Sequence, residues 1–291
     1  SDVQRKFMTT TNSKNVFNIA LDGNFDDCQK LVKEMFADSK FNSSINMSGV
    51  NSINWSRIVM QIVYYFFSYF KISKEKEKIN FSVPTGNFGD IYAGYIAKKM
   101  GLPISKLVVA TNKNDILKRV INTGLYKPSK VEQTVSPSMD IQVASNFERL
   151  IFDVNSCNSE KTSRLMNEFT ARGEFKIEET ELKKIKQCFS SESLSEKETK
   201  TIIRDTYKNH GVLIDPHTAV GIGVVKKIPL EGNTVVLATA HPAKFPEVVM
   251  ESTGIKPELP EKLKYILSKK ENYDKLPKDL DKIKKYILEK I

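Results

Sequence analysis

Thr85-Gly86-Asn87-Phe88-Gly89 is the stretch of this chain best suited to chemistry. An apolar run from about Lys78 to Val83 precedes it, and helix-type spacing at Ile91, Tyr95 and Ile96 follows, so the two glycines fall at a strand-to-helix turn. Glycine there lets successive backbone N–H groups approach one point. The start of the helix adds its unpaired amides and the positive end of its dipole. Together these make an anion site, most often for phosphate, although an ordinary strand-to-helix turn uses the same residues. The loop has neither the Gly-Lys-Ser/Thr of a Walker loop nor GxGxxG spacing, so ATP and NAD are not the expected ligands.

A second candidate is Asn51-Ser52-Ile-Asn54-Trp-Ser-Arg57, which opens a long apolar helix. Asn and Ser at a helix start usually cap it. The sharper reading is a further anion site, with Arg57 one turn in to supply charge-assisted hydrogen bonds. His217 and His241 each stand beside a proline at an expected helix start, and either a structural or a site role suits them. No Ser/His/Asp order, paired-carboxylate site or metal-ligand spacing is present. A phosphate cradle beside hydroxyl-bearing strand ends, Thr111 and Thr239, suits an aromatic phosphorylated cofactor held by its phosphate and a ring atom, and pyridoxal phosphate has that shape.

The elements that position these residues read as strands alternating with helices. Asn15–Leu21, Lys106–Ala110 and Thr234–Thr239 join the central run as expected strands, the last of them buried. Helices follow at about 26–36, after Asn114-Asp115 as far as Gly124, over 146–152, and from Pro216 through Val225. The order predicts an α/β fold, a parallel sheet with helices on its faces and ligands beyond the carboxyl ends of the strands. Residues 155–210 are rich in lysine and glutamate and read as a helical insertion, with a capping box at Ser195–Glu198. The expected domains are 1–75, a smaller α/β domain; 76–255, a large ligand-binding α/β domain carrying the insertion; and 256–291, a lysine-rich helical tail.

Composition bounds the rest. At 291 residues, 40% hydrophobic and 27% charged, the chain can bury a large core. The apolar run Ile58–Phe70 is shorter than the roughly 20 residues a membrane span needs, and reads as a buried helix. Three cysteines without metal-like spacing suit a reducing compartment, the cytoplasm. The net charge of +10 lies in lysine runs without interleaved aromatics, which describes a solvated surface and not a nucleic-acid site.

Several long words together resemble threonine synthases of the fungal and enterobacterial type. They are Asn24-Phe-Asp-Asp-Cys-Gln, Val50-Asn-Ser-Ile-Asn-Trp-Ser-Arg-Ile58, Val83-Pro-Thr-Gly-Asn-Phe-Gly-Asp90, Ala110-Thr-Asn-Lys-Asn-Asp-Ile-Leu117, Ser136-Pro-Ser-Met-Asp-Ile141, Asp215-Pro-His-Thr-Ala-Val-Gly221 and Thr239-Ala-His-Pro-Ala-Lys-Phe245. The resemblance implies the fold-type-II architecture of pyridoxal-phosphate enzymes and conversion of O-phospho-L-homoserine and water to threonine and phosphate. It implies that Gly86, Asn87, Phe88, Gly89 and Asp90 hold the cofactor phosphate and that the Thr239 hydroxyl meets the ring nitrogen. Asn51, Ser52, Asn54 and Arg57 resemble the segment that receives the substrate phosphate. The family lysine that forms the Schiff base lies in a Phe-Lys-Asp segment that this chain lacks, and Lys244 does not match it. The chain therefore reads as the C-terminal part of such an enzyme, inactive alone, with the missing N-terminal part as its partner. Related phospholyases release a keto acid instead, and a non-catalytic protein can retain the fold; both remain as alternatives.

Overall fold

The computed structural model describes residues 2–23, 25–51, 54–73 and 77–291. They form two compact units, one of residues 1–49 with 259–291 and one of residues 50–258. This division differs from the expected domains at both ends. The helix Trp55–Ile72 folds with the large sheet and not with the residues before it. The C-terminal segment is no separate tail, because Asp274–Leu276 is the ladder partner of Ile19–Leu21, in parallel. The expected strand Asn15–Leu21 forms only over those last three residues. Leu31, Met35, Phe41 and Ile283 make the small core of this unit.

The larger unit is described here with its own element names. Helix α1 (Trp55–Ile72) leads to β1 (Ile79–Pro84), α2 (Gly89–Lys99), β2 (Ile104–Thr111), α3 (Ile116–Thr123), α4 (Phe147–Val154), α5 (Ser159–Arg172) and α6 (Glu179–Cys188). Then come β3 (Phe189–Ser193), α7 (Glu196–His210), α8 (Pro216–Val225), β4 (Thr234–Val236) and α9 (Pro246–Thr253). The four strands lie in the order β3-β2-β1-β4, all parallel. Alternate residues of β2 feed two cores, Leu107 and Val109 on one face and Val108 and Ala110 on the other, as the two-residue period of a strand requires. All of β1 is buried. Its polar residues are satisfied there: Ser82 Oγ donates to the Gly221 carbonyl at 2.8 Å, and Asn80 Nδ2 donates to the Glu231 carbonyl at 2.8 Å.

Three expectations need correction. The insertion at 155–210 is not wholly helical, because β3 lies inside it and pairs with β2 from Leu107↔Phe189 to Thr111↔Ser193. The strand expected over Thr234–Thr239 is shorter and only half-buried, since β4 has a neighbour on one side alone among the described residues; Ala238 and Thr239 beyond it are exposed. The helix expected to be buried shows one buried stripe, Ile58, Ile62, Tyr65 and Tyr69, while Val59, Met60, Val63, Phe67 and Phe70 on its other faces are exposed. The buried stripe sits tightly on α2. A Cβ at Gly94 would stand 2.5 Å from Tyr65 Cε1, so only glycine permits this approach.

Candidate functional site

The turn between β1 and α2 is held from outside by its neighbours. Phe88 lies in the left-handed region (φ 65°, ψ 0°), a conformation unfavourable for a bulky residue. Its ring, 1% exposed, is wedged against Phe147 (5.2 Å between centroids, 88°) and Phe189 (5.7 Å), so core packing maintains the backbone turn. What Phe88 offers to solvent is therefore main chain. Asn87 Oδ1 accepts from Ser145 N at 2.6 Å and from Ser145 Oγ at 2.7 Å, and the Asn87 carbonyl accepts from Asn146 N at 3.3 Å. The acceptors of this turn are thus engaged by the segment before α4. A Cβ on Gly86 would fall 2.6 Å from the Ser138 carbonyl and 3.1 Å from Met139 Cα, so glycine is required here by the connector that closes over it.

That connector is built from buried polar groups. Asp140 Oδ1 accepts from Asn112 Nδ2 (2.8 Å), Asn114 Nδ2 (3.0 Å) and Thr134 Oγ1 (2.7 Å), and Asp140 Oδ2 accepts from Thr134 N (2.9 Å). On its far side Ser138 N donates to His217 Nε2 at 3.2 Å. Because a backbone N–H can only donate, Nε2 is the accepting nitrogen, and Nδ1 carries the hydrogen toward Asp215 Oδ1 at 2.9 Å. Asp215 also caps α8 through His217 N and Thr218 N. His217 is thus a buried brace between a helix start and the connector. His241 likewise takes Ala243 N at Nδ1 (3.2 Å), which caps the short turn Pro242–Lys244. The open question about both histidines resolves toward structure.

A cavity of about 690 Å³ opens at the carboxyl ends of β1 and β4. Gly86, Asn87, Phe88, Gly89 and Asp90 line it from the turn, Thr239 from the loop after β4, and Arg57 from α1. Of the residues singled out in sequence, these are brought together. Asn51 and Asn54 are not among the lining residues; Asn54 Oδ1 accepts from Ser56 N at 2.9 Å and caps α1. Ser52 lies outside the described residues. Asp90 combines burial with specific partners. Burial pushes its carboxyl up to about 6, while the Tyr65 hydroxyl, 3.3 Å from Oδ1, and the charge of Arg57 hold it down. Burial and the Asp90 charge together push the Tyr65 hydroxyl well above its ordinary range.

Sequence reasoning missed Gln61, Tyr64 and Ser68, which line the same cavity. With Arg57 they form an i, i+4, i+7, i+11 stripe on α1, a helical signal that was present in the sequence. Gln61 Oε1 is buried without a hydrogen-bond partner. Ser138, Met139 and Lys244 also line the cavity; nothing local marks them, because the fold brings them there. Among the described residues no cluster of His, Cys, Asp and Glu is placed to hold a metal ion, and no helix is long and apolar enough to cross a membrane.

Comparison with known proteins adds to this geometry. A family model described as "Threonine synthase, C-terminal" matches residues 218–287. Threonine synthase of Pseudomonas aeruginosa is 44% identical over 291 residues, covering 99% of this chain and 62% of that protein. A crystal structure of PLP-bound threonine synthase from Brucella melitensis superposes with a TM-score of 0.95 at 44% identity, covering 100% of this chain and 63% of that one. The yeast threonine synthase structure gives a TM-score of 0.90 at 38% identity. The chain thus spans somewhat under two thirds of the length of these relatives.

Proposed function

Because the chain belongs to the threonine synthase family over the part of those proteins that it spans, we propose that it builds the cofactor- and substrate-binding region of an enzyme making L-threonine and phosphate from O-phospho-L-homoserine and water, with pyridoxal 5′-phosphate as cofactor. One observation carries this reading: the Gly86–Gly89 turn, Arg57 and Thr239, from three separate elements, line a single cavity at the strand ends.

The residues present suit the cofactor. The turn has room for no side chain at Gly86 and offers main chain at Phe88, and the positive end of α2 starts at Gly89. Gly86, Asn87, Phe88, Gly89 and Asp90 would hold the cofactor phosphate. A dianion beside Asp90 raises its carboxyl further, and the neutral acid then donates a hydrogen bond instead of repelling. Thr239 would meet the ring nitrogen with a neutral hydroxyl, which, unlike a carboxylate, does not fix a proton there. When bound, the cofactor supplies an electron sink for charge developing beside the substrate amine.

The substrate phosphate is assigned to Arg57, whose guanidinium fork matches a phosphate dianion and stabilises it as it leaves. Asn51, Ser52 and Asn54 are assigned to the segment that positions Arg57. The cofactor-anchoring lysine of the family has no counterpart among the matching positions, so binding and orientation are assigned to this chain and turnover is not assigned to it alone. The remaining part of a threonine synthase is its proposed partner, and the cytoplasm its proposed location.

Product analysis of an enzyme containing this chain, supplied with pyridoxal phosphate and O-phospho-L-homoserine, tests the reading. Equal amounts of threonine and phosphate are expected. Keto acid, ammonia and phosphate would move the function to a phospholyase, and cofactor retention without turnover would leave a binding protein.

A further inference from the structure

We propose that Lys244 is a second phosphate-binding cation of this cavity, acting with Arg57 on a phosphate monoester dianion; the identity of that phosphate rests on the function proposed above. Lys244 ends the short turn Pro242–Lys244 on the loop after β4 and lines the cavity together with Arg57 of α1. A chain of contacts locates its ammonium. Nζ stands 5.9 Å from the centre of the Phe245 ring, and that ring lies 4.9 Å from His217. His217 Nε2 takes the Ser138 N–H at 3.2 Å, and the Ser138 carbonyl is the atom that a Gly86 side chain would strike. Lys244 therefore belongs to the Gly86 side of the turn. Arg57 acts on Asp90, at the other end of the same turn.

Two cations thus bracket a turn of backbone amides at a helix start. Of the charged side chains lining the cavity, Asp90 is the one acid, and burial disfavours its ionised form. The balance of charge selects an anion, and a site with amides and two cations is matched to a dianion better than to a monovalent carboxylate. A purely structural role for Lys244, its stem and charge stacked on Phe245, predicts no such selectivity.

Inorganic phosphate titrated calorimetrically into the 291-residue chain tests the assignment without any turnover. Lys244→Met is expected to weaken phosphate binding about tenfold, Arg57→Met by a similar factor, and Lys244→Arg by no more than about twofold. Each variant should unfold at the temperature of the parent chain. Unchanged phosphate affinity in Lys244→Met overturns the proposal, as does an equal loss in Lys244→Arg, or no phosphate binding by the parent chain at millimolar concentration. Two further titrations distinguish the source of the phosphate. A Lys244→Met loss confined to pyridoxal 5′-phosphate assigns the cation to the cofactor, and one confined to O-phospho-L-homoserine assigns it to the substrate. If the parent chain binds inorganic phosphate through Lys244 yet takes up no pyridoxal phosphate, the cation stands and the proposed function falls.

Discussion

Asp90 shows how much a single buried group can couple to pH. Its carboxyl, ordinarily near 3.8, is pushed up to about 6 in the fold. Between those values the folded chain keeps a proton that the unfolded chain releases. Stability from this group is therefore greatest below about pH 4 and is lost as pH rises through 6. Asp90→Asn removes the penalty, so the variant should be more stable than the parent by on the order of 2–3 kcal/mol at pH 8 and equal to it near pH 4. Urea denaturation at the two pH values checks this; the same gain at both would show that ionisation is not the cause. Gly86 makes the opposite point, since any side chain there must displace the Ser138 carbonyl. Gly86→Val should cost about 1–3 kcal/mol through overpacking and should also abolish uptake of pyridoxal phosphate. An unaltered visible spectrum of added cofactor would remove the turn from its proposed role. The need for glycine at position 86 was legible from the turn, whereas the atom that enforces it comes from a connector some fifty residues later and was not.

At the scale of elements, strands announced themselves where they are buried on both faces. Lys106–Ala110 and the run into Val83 read directly as strands because every residue is apolar or satisfied inside. Strand β3 was illegible, because Phe189-Ser-Ser-Glu-Ser193 carries one large apolar residue and gains its stability by pairing with β2. The helix α1 was legible as a helix, but its exposure was not, since Val59, Met60, Val63 and Phe70 are as apolar as the residues it buries. Its start illustrates how a cap and a site residue can be confused. Asn54→Ala should cost about 1 kcal/mol, the loss of one capping hydrogen bond, and leave affinity for inorganic phosphate unchanged. Thermal unfolding and a phosphate titration on the same variant separate the two roles. A large loss of phosphate affinity would restore Asn54 to the binding surface.

At the scale of the molecule, the first and last segments of the chain depend on each other. Ile19–Leu21 finds its ladder partner in Asp274–Leu276, and Lys284 reaches Asp38 at 2.6 Å. Deleting residues 259–291 should therefore leave the amides of Ile19–Leu21 unprotected in hydrogen exchange while those of β1 and β2 keep their protection. Loss of protection in all of them would mean that the two units do not fold separately. The sheet of the larger unit has a similar reach. Its central strand β1 is hydrogen-bonded to β2 soon after it in the chain, yet Asn80 meets Thr234 of β4 only across a separation of 154 residues. At about 5–20 residues per second, a ribosome takes roughly 8–30 seconds to make the intervening chain. Throughout that interval the β4-side edge of β1 is a nascent, unpaired edge, open to a wrong neighbour. The order of the strands thus makes the speed of synthesis, and the holding of that edge by a chaperone, part of what decides the yield of folded protein.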